Sequence, residues 1–140
     1  MAIDYGRKRT GIAVTDPLQM IANGLDTVAS HELLDFLGQY FVQEQVDAVV
    51  VGYPKTLNNQ PSEAVRYVNE FLRKFKKRFP GKDCLLVDER FTSKMAFQTM
   101  VEGGLKKKQR QDKSLVDKIS ATIILQSYLQ MKDNSTNFSK

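Results

Sequence analysis

Five short apolar runs along the chain predict β-strands. The first two runs are separated by a turn rich in Gly, Arg and Lys, which favours a β-hairpin. The fourth is a continuous β-branched run that ends in Gly52, a pattern typical of a buried parallel strand. The predicted strands cover residues 1–5, 11–15, 25–29, 47–52 and 84–87.

Four stretches with helical spacing of apolar residues predict α-helices. Ser30 is the predicted N-cap of the first, and the second begins at Ser62 and ends at Pro80-Gly81. The third runs from about Thr92 to a Gly-Gly pair, and the fourth covers about 114–131. The resulting order, β-β-β-α-β-α-β-α-α, predicts an α/β fold in which a mixed five-stranded sheet is covered by helices on both faces.

Length and composition narrow the class of protein. A chain of 140 residues with 41% hydrophobic and 26% charged residues predicts one domain over 1–131, followed by a polar, disordered tail over 132–140. Cys84 and His31 are the only residues of their types, which excludes an intrachain disulfide and argues against a zinc site. The sequence shows no signal peptide and no membrane span, so we expect a cytoplasmic protein that does not act at a membrane.

Three carboxylates follow or open predicted elements that meet at one edge of the sheet. Asp4 and Glu89 come at or just past the ends of strands, and Asp117 lies in the first turn of the last helix. In open α/β sheets the functional site lies outside the carboxyl ends of the parallel strands. Converging carboxylate oxygens suit Mg²⁺ or Mn²⁺, so the three residues are candidate metal ligands and catalytic residues.

Positive charge accompanies these acids. The formal net charge is +5 and the sequence pI is about 9.3. Together with a divalent metal site, a basic surface indicates metal-assisted cleavage of a phosphodiester. Basic clusters beside the acids are candidate phosphate contacts, whereas the run over 73–78 is expected to be a solvated helix face. The nucleic-acid-binding candidates are Arg7, Lys8, Arg9, Arg90, Lys106, Lys107, Lys108 and Arg110.

Each acidic motif also has a structural interpretation. Asp4-Tyr5-Gly6 can be a hairpin turn, and Ser114-x-x-Asp117 resembles a capping box at a helix start. Asp88 and Glu89 point to opposite faces if the strand continues, so only one of them is a candidate ligand. Tyr53-Pro54 after Gly52 is either a strand-ending turn or a wall of the site.

The motifs, taken in order, resemble those of the YqgF/RuvX family. The matching segments are Asp4-Tyr-Gly-Arg-Lys-Arg-Thr-Gly-Ile-Ala-Val, Val51-Gly-Tyr-Pro, Val87-Asp-Glu-Arg-Phe-Thr, Val116-Asp-Lys and Ile124-Leu-Gln-Ser-Tyr-Leu. The resemblance implies an RNase H-like fold, related to that of RuvC-type Holliday junction resolvases. It also implies nuclease activity in the maturation of the 5′ end of small-subunit ribosomal RNA, with junction resolution as the older proposal.

By position, Asp4, Glu89 and Asp117 match the metal-ligating acids of that fold. Related resolvases carry a fourth acid near the start of the last helix, where this chain has Ser114. The implied partners are nucleic acid, either an rRNA precursor or branched DNA, and the small ribosomal subunit. Both a monomer and a homodimer are compatible with the sequence.

Two further functions remain open at this point. An actin-like ATPase or sugar-kinase domain shares the Asp-x-Gly strand-turn-strand element, but such proteins need two domains of this kind and the chain supplies one. A non-catalytic RNA-binding assembly factor would use only the basic surface. Dependence on a divalent metal distinguishes the nuclease from the RNA-binding factor.

Overall fold

The computed structural model describes residues 1–54, 63–88 and 112–138, with side chains as far as residue 132. Five strands form one sheet in the order β3-β2-β1-β4-β5. They are β1 (Ala2–Tyr5), β2 (Arg9–Thr15), β3 (Ala22–Ala29), β4 (Ala48–Tyr53) and β5 (Asp83–Asp88). The first three pair antiparallel, and β4 and β5 run parallel to β1. The predicted α/β class and mixed five-stranded sheet are confirmed.

The helices begin close to their predicted positions. A short 3₁₀ turn, Ser30–Glu32, leads into α1 (Leu33–Gln43), and the others are α2 (Glu63–Arg78) and α3 (Lys113–Phe138). The last helix therefore continues past the predicted end at Met131. The helix predicted from about Thr92 falls outside the residues that the structure describes. None of the described helices is long and apolar enough to cross a membrane.

Alternating side chains of the central strands build a core on each face of the sheet. Ile3 of β1 packs in one cluster with Leu37 of α1 and Phe75 of α2. Its neighbour Ala2 points the other way and packs in a second cluster with Ile124 of α3. The continuous apolar run of β4 follows from this arrangement, because both of its faces are buried.

Ser30 does not cap a helix, contrary to the prediction. No side chain caps the 3₁₀ turn or α1. The Ser30 hydroxyl instead donates to the Gly6 carbonyl and lies 2.8 Å from the hydroxyl of the fully buried Thr10. The sequence predicts a cap because a serine hydroxyl commonly accepts a hydrogen bond from a free backbone N–H group at a helix N-terminus. Here the Ser30 hydroxyl is instead bonded to the buried Thr10 hydroxyl and to the turn between β1 and β2.

Candidate active site

Asp4 lies one residue before the end of β1, in the middle of the sheet. Its Cα partner across the antiparallel pair is Gly11 of β2, and the two Cα atoms of such a pair lie roughly 5 Å apart. Strand alternation gives Asp4 the same face as Ala2, which packs against α3. The half-buried carboxylate is therefore on the side of the sheet that α3 covers.

Gly11 lets α3 approach the sheet opposite Asp4. A Cβ atom added to Gly11 would lie closer than 3.0 Å to the carbonyl carbon and oxygen of Asp117, and 3.2 Å from its Cα. The backbone of α3 thus rests directly on β2 at this point, as a glycine inside a strand permits. Asp4 and Asp117 are both neighbours of Gly11, one across the strand pair and one across the helix–sheet contact.

The start of α3 differs from the sequence prediction. Asp112, not Ser114, supplies the cap: its Oδ1 accepts from the backbone N–H groups of Ser114 at 3.1 Å and Leu115 at 3.4 Å. Asp117 is the fifth residue of the helix, beyond its first turn, and the first turn holds no acid. The capping-box interpretation of Asp117 is therefore wrong, and the carboxylate is available for another role.

Arg9 holds the Asp117 carboxylate. Its Nε donates to Asp117 Oδ2 at 3.0 Å, and the two side chains are 39% and 22% exposed. The contact joins the start of β2 to α3 across 108 positions of sequence. The sequence predicts Arg9 as a phosphate contact because of its basic neighbours. Its position adds a second role, that of orienting a candidate metal ligand.

The other two basic residues of this turn are exposed. Arg7 lies with its guanidinium carbon 5.5 Å from the centre of the Tyr67 ring, and Lys8 extends from the turn between β1 and β2. The backbone carbonyl of Lys8 accepts from Ser30 N–H at 3.0 Å, so the turn is tied to the start of the 3₁₀ turn. Both charges therefore lie on a fixed turn directly after Asp4.

The parallel strands end at the same edge as Asp4. Tyr53 of β4 pairs with Asp88 of β5. The Tyr53 hydroxyl donates to Asn69 Oδ1 at 3.0 Å, so this ring is held against α2. Tyr5, stacked on Phe71 at 4.8 Å on the same face, has its pKa raised by burial and by the nearby Glu70.

Strand alternation separates Asp88 from the other two acids. Val87 packs in the cluster on the α3 face of the sheet, so Asp88 faces the opposite side from Asp4. The choice of Glu89 over Asp88 as the ligand stays a prediction. Glu89 lies outside the described residues, as do Arg90, Lys106, Lys107, Lys108 and Arg110, so their assigned roles stay predictions.

The carboxylates of the described residues supply only part of a binding site for a hard divalent cation. Over residues 1–54, 63–88 and 112–132, no group of three or more Asp, Glu, His or Cys side chains is arranged to hold a metal ion. The structure brings two acidic residues next to Gly11: Asp4 is its partner across the strand pair, and the backbone of Asp117 packs on it. Oxygen donors of this type suit Mg²⁺ or Mn²⁺, and a third protein ligand would have to come from the segment that contains Glu89.

Sequence reasoning missed three contributors to this site. Gly11 sets the helix–sheet distance, Asp112 caps α3, and Arg9 pairs with Asp117 rather than serving only as a basic residue. An isolated glycine inside a strand pattern is a known sign of close backbone approach, so Gly11 was detectable. The identity of the approaching backbone was not, since it depends on tertiary packing.

Comparison with known proteins shows which family this chain matches. Residues 1–131 match the model of the RuvX family, described as Holliday junction resolvase. A relative from Bacteroides thetaiotaomicron is 60% identical over 132 residues, covering 94% of this chain and 96% of the relative. A relative from Flavobacterium johnsoniae is 58% identical with the same coverage. Each of these relatives bears the name "Putative pre-16S rRNA nuclease".

The match extends over both carboxylates, Gly11 and Arg9. It confirms the resemblance found in the sequence, and with it the prediction of an enzyme that hydrolyses phosphodiester bonds. The chain belongs to the RuvX family of Holliday junction resolvases.

Proposed function

We propose that this chain is a nuclease that requires Mg²⁺ or Mn²⁺ and matures the 5′ end of the 16S rRNA precursor. The proposal includes a cytoplasmic location and the small ribosomal subunit as a partner. The observation that carries the metal-dependent chemistry is the meeting of Asp4 and Asp117 at Gly11. The names of the relatives support the rRNA precursor as substrate.

In this proposal Asp4, Asp117 and Glu89 bind the cation. Asp4 is fixed by the central strand of the sheet, and Asp117 is fixed by the contact of α3 with β2. A bound divalent ion would polarise the scissile phosphate and lower the pKa of a coordinated water. Ligands on rigid elements suit this role, because metal sites need accurate geometry.

Arg9 has two functions in the proposal. Through Nε it orients the Asp117 carboxylate, and the Arg9 side chain remains 39% exposed. A guanidinium presents five donors, so one side chain can contact a carboxylate and a phosphate together. Arg7 and Lys8 extend the same positive surface and would contact backbone phosphates without reading sequence.

A four-way DNA junction is the second candidate substrate. The description of the matching family favours it directly. Phosphate contacts from Arg7, Lys8 and Arg9 suit either nucleic acid, because they recognise the backbone and not the bases. A non-catalytic RNA-binding factor, the alternative from a different class, would retain these contacts without any need for Asp4.

The test compares substrates, metals and matched variants. Labelled 16S rRNA precursor with an extended 5′ end and a labelled four-way junction are each incubated with Mg²⁺, Mn²⁺ or EDTA. We expect metal-dependent cleavage of the rRNA precursor, loss of cleavage in Asp4→Asn, and retention in Asp88→Asn, which changes the same charge on the opposite face. Cleavage of the junction alone would select the second substrate. Binding of RNA without cleavage under any metal would favour the assembly factor.

A further inference from the structure

Positive charge is concentrated on α2, on the face of the sheet opposite α3. The 16 residues of this helix include six basic and two acidic residues, so it carries most of the net charge of +5. Its inner side is apolar and packs in the core through residues such as Val68 and Phe75. Its charged residues are all exposed, as the sequence predicts for the run over 73–78. The helix therefore presents a strongly basic outer surface.

Three of these cations form a line along the exposed side of α2. Arg66, Arg73 and Lys77 recur at helical spacing, so their side chains leave the helix in nearly the same direction. At 1.5 Å per residue, the line is about 16 Å long, and we call it the outer stripe. Within the described ranges, no carboxylate lies close enough to form an ion pair with any of the three. Their charges are therefore available to a ligand.

The helix dipole explains only part of the outer stripe. Cations are favourable in the last turn of a helix, and Lys77 lies in the last turn of α2. The effect falls off within that turn, so it does not explain Arg66 or Arg73. Neither of these two side chains is buried in the core, so packing does not explain them either.

The outer stripe begins beside the candidate active site. The guanidinium carbon of Arg7 lies 5.5 Å from the centre of the Tyr67 ring, so the turn that follows Asp4 contacts the first half of α2. Arg66, the neighbour of Tyr67 in the chain, is therefore at the end of the stripe nearest to this turn. Lys77 lies at its far end. The stripe thus continues the positive surface of the turn onto the opposite face of the sheet.

A phosphodiester backbone matches the outer stripe. In a duplex each strand carries one negative charge per about 3.4 Å along the axis, so the stripe spans roughly five charges of one strand. Guanidinium and ammonium groups bind phosphate oxygens without reading the bases. The stripe contains no aromatic residue on which a base could stack, which favours contacts to phosphate over contacts to bases.

We propose that the outer stripe is a second phosphate-binding surface, which holds the part of the nucleic acid that flanks the cleavage site. The strand leaves the site over the exposed turn that carries Arg7 and Lys8, passes the edge of the sheet and follows α2 toward Lys77. This role rests on the proposed function, because the ligand is the flanking segment of the same substrate. A single strand and a duplex arm both supply the required chemistry.

Binding is measured without metal, so that the test needs no cleavage. Labelled single-stranded RNA and a labelled RNA duplex, both of mixed sequence, are titrated with salt in EDTA. For Arg73→Gln/Lys77→Gln we expect binding up to about tenfold weaker than that of the wild type. The slope of log affinity against log salt should be flatter by up to about 1.4 for the single strand and about 1.8 for the duplex. The nucleic acid with the larger loss is the one that follows the stripe.

Arg78→Gln/Lys132→Gln is the matched control, because it removes the same net charge. Each of these cations already donates to another side chain, at 2.8 Å and 3.0 Å respectively, so the salt slope should stay almost unchanged. Glu70→Gln tests the opposite direction. It removes an acid beside the stripe and releases Lys74 from a pair of 3.5 Å, so it should tighten binding of the same RNA.

Three outcomes would overturn the inference. An unchanged slope in Arg73→Gln/Lys77→Gln would mean that the stripe contacts no phosphate, and an equal change in the control would mean that only net charge matters. Polyglutamate that binds as tightly as RNA of equal charge, and loses the same affinity in the test variant, would mean that the stripe takes any polyanion.

Cleavage assays on the same variants separate this inference from the proposed function. Metal-dependent cleavage with an unchanged salt slope would retain the nuclease and reject the outer stripe as a binding surface. A flatter slope in a protein that cleaves under no metal would retain the outer stripe and reject the nuclease. If both proposals hold, Arg73→Gln/Lys77→Gln should keep the wild-type rate at saturating substrate, because the candidate metal ligands are untouched.

Discussion

Replacing Gly11 with alanine should separate the two carboxylates of the candidate active site. The added Cβ would lie closer than 3.0 Å to the carbonyl carbon and oxygen of Asp117, and real Cβ atoms essentially never make such contacts. These are backbone atoms of a long helix, so they cannot rotate away as a side chain would. Relief requires α3 to move away from β2 by on the order of 1 Å, the scale of displacement that matters for positioned catalytic groups.

The expected loss is larger in catalysis than in stability. Overpacking of this kind costs about 1–3 kcal/mol, and alanine recovers about 0.5–1 kcal/mol because glycine is unfavourable inside a strand. We therefore expect the free energy of unfolding to fall by no more than about 2.5 kcal/mol. Displacement of a catalytic group by about 1 Å can cost about 100-fold in rate. Gly11→Ala should thus stay folded and lose about two orders of magnitude in metal-dependent cleavage.

Gly24→Ala is the matched control. Gly24 lies on β3 beneath the same helix, but its added Cβ would meet only side-chain atoms: Thr122 Oγ1 at 3.3 Å and carbons of Lys118 at 3.5 and 3.6 Å. These side chains can adjust, so we expect a stability change of about 0.5 kcal/mol or less and almost unchanged cleavage. The assays are urea unfolding and single-turnover cleavage in Mn²⁺. Wild-type turnover in folded Gly11→Ala, or an equal loss in Gly24→Ala, would refute the reasoning.

Four other predictions address the same site. Asp4→Asn should lower cleavage by at least about 100-fold with an unchanged circular dichroism spectrum, and normal cleavage would show that the site is wrongly assigned. Glu89→Gln should reduce turnover and Mn²⁺ binding more than Asp88→Asn, and the reverse order would exchange their roles. Arg9→Gln should bind Mn²⁺ up to about fivefold more weakly, equivalent to about 1 kcal/mol, and also bind RNA more weakly, because Asp117 loses the guanidinium that orients it; unchanged Mn²⁺ binding would show that Arg9 does not position the ligand. Replacing four basic residues with serine should flatten the salt dependence of RNA binding by up to roughly one unit per lost contact. The four residues are Lys106, Lys107, Lys108 and Arg110. An unchanged slope would mean that these side chains face solvent.

Most of the fold was predictable because local patterns and tertiary contacts agree. The β-branched run of β4 predicted a doubly buried strand, and Val49 and Val50 are buried on opposite faces. The strand β3 was predicted too short, since Asn23 and Gly24 are poor strand formers. Pairing of Ala22 with Thr15 on β2 extends the strand in spite of them. Intrinsic propensity is a weak guide where a neighbouring strand supplies the hydrogen bonds.

The sequence predicted candidate residues for the site but not their arrangement. Motif position proposed Asp4 and Asp117, which both lie beside Gly11, and their roles as ligands stay predictions. The sequence could not show that Arg9 reaches Asp117, because that contact spans 108 positions and depends on where α3 packs. A basic cluster has the same composition whether its members contact phosphate, stack on Tyr67 or orient a carboxylate.

The two carboxylates of this site are held by interactions of different strength. Asp4 is part of a central strand with neighbours on both sides, so displacing it would break the middle of the sheet. Asp117 depends on the contact of α3 with Gly11 and on one partly exposed ion pair, and such pairs contribute only about 0–1 kcal/mol. The helix contact must therefore set the distance between the acids, while Arg9 sets the orientation of the Asp117 carboxylate. Changes in α3 packing should for this reason alter metal affinity before they alter the stability of the sheet.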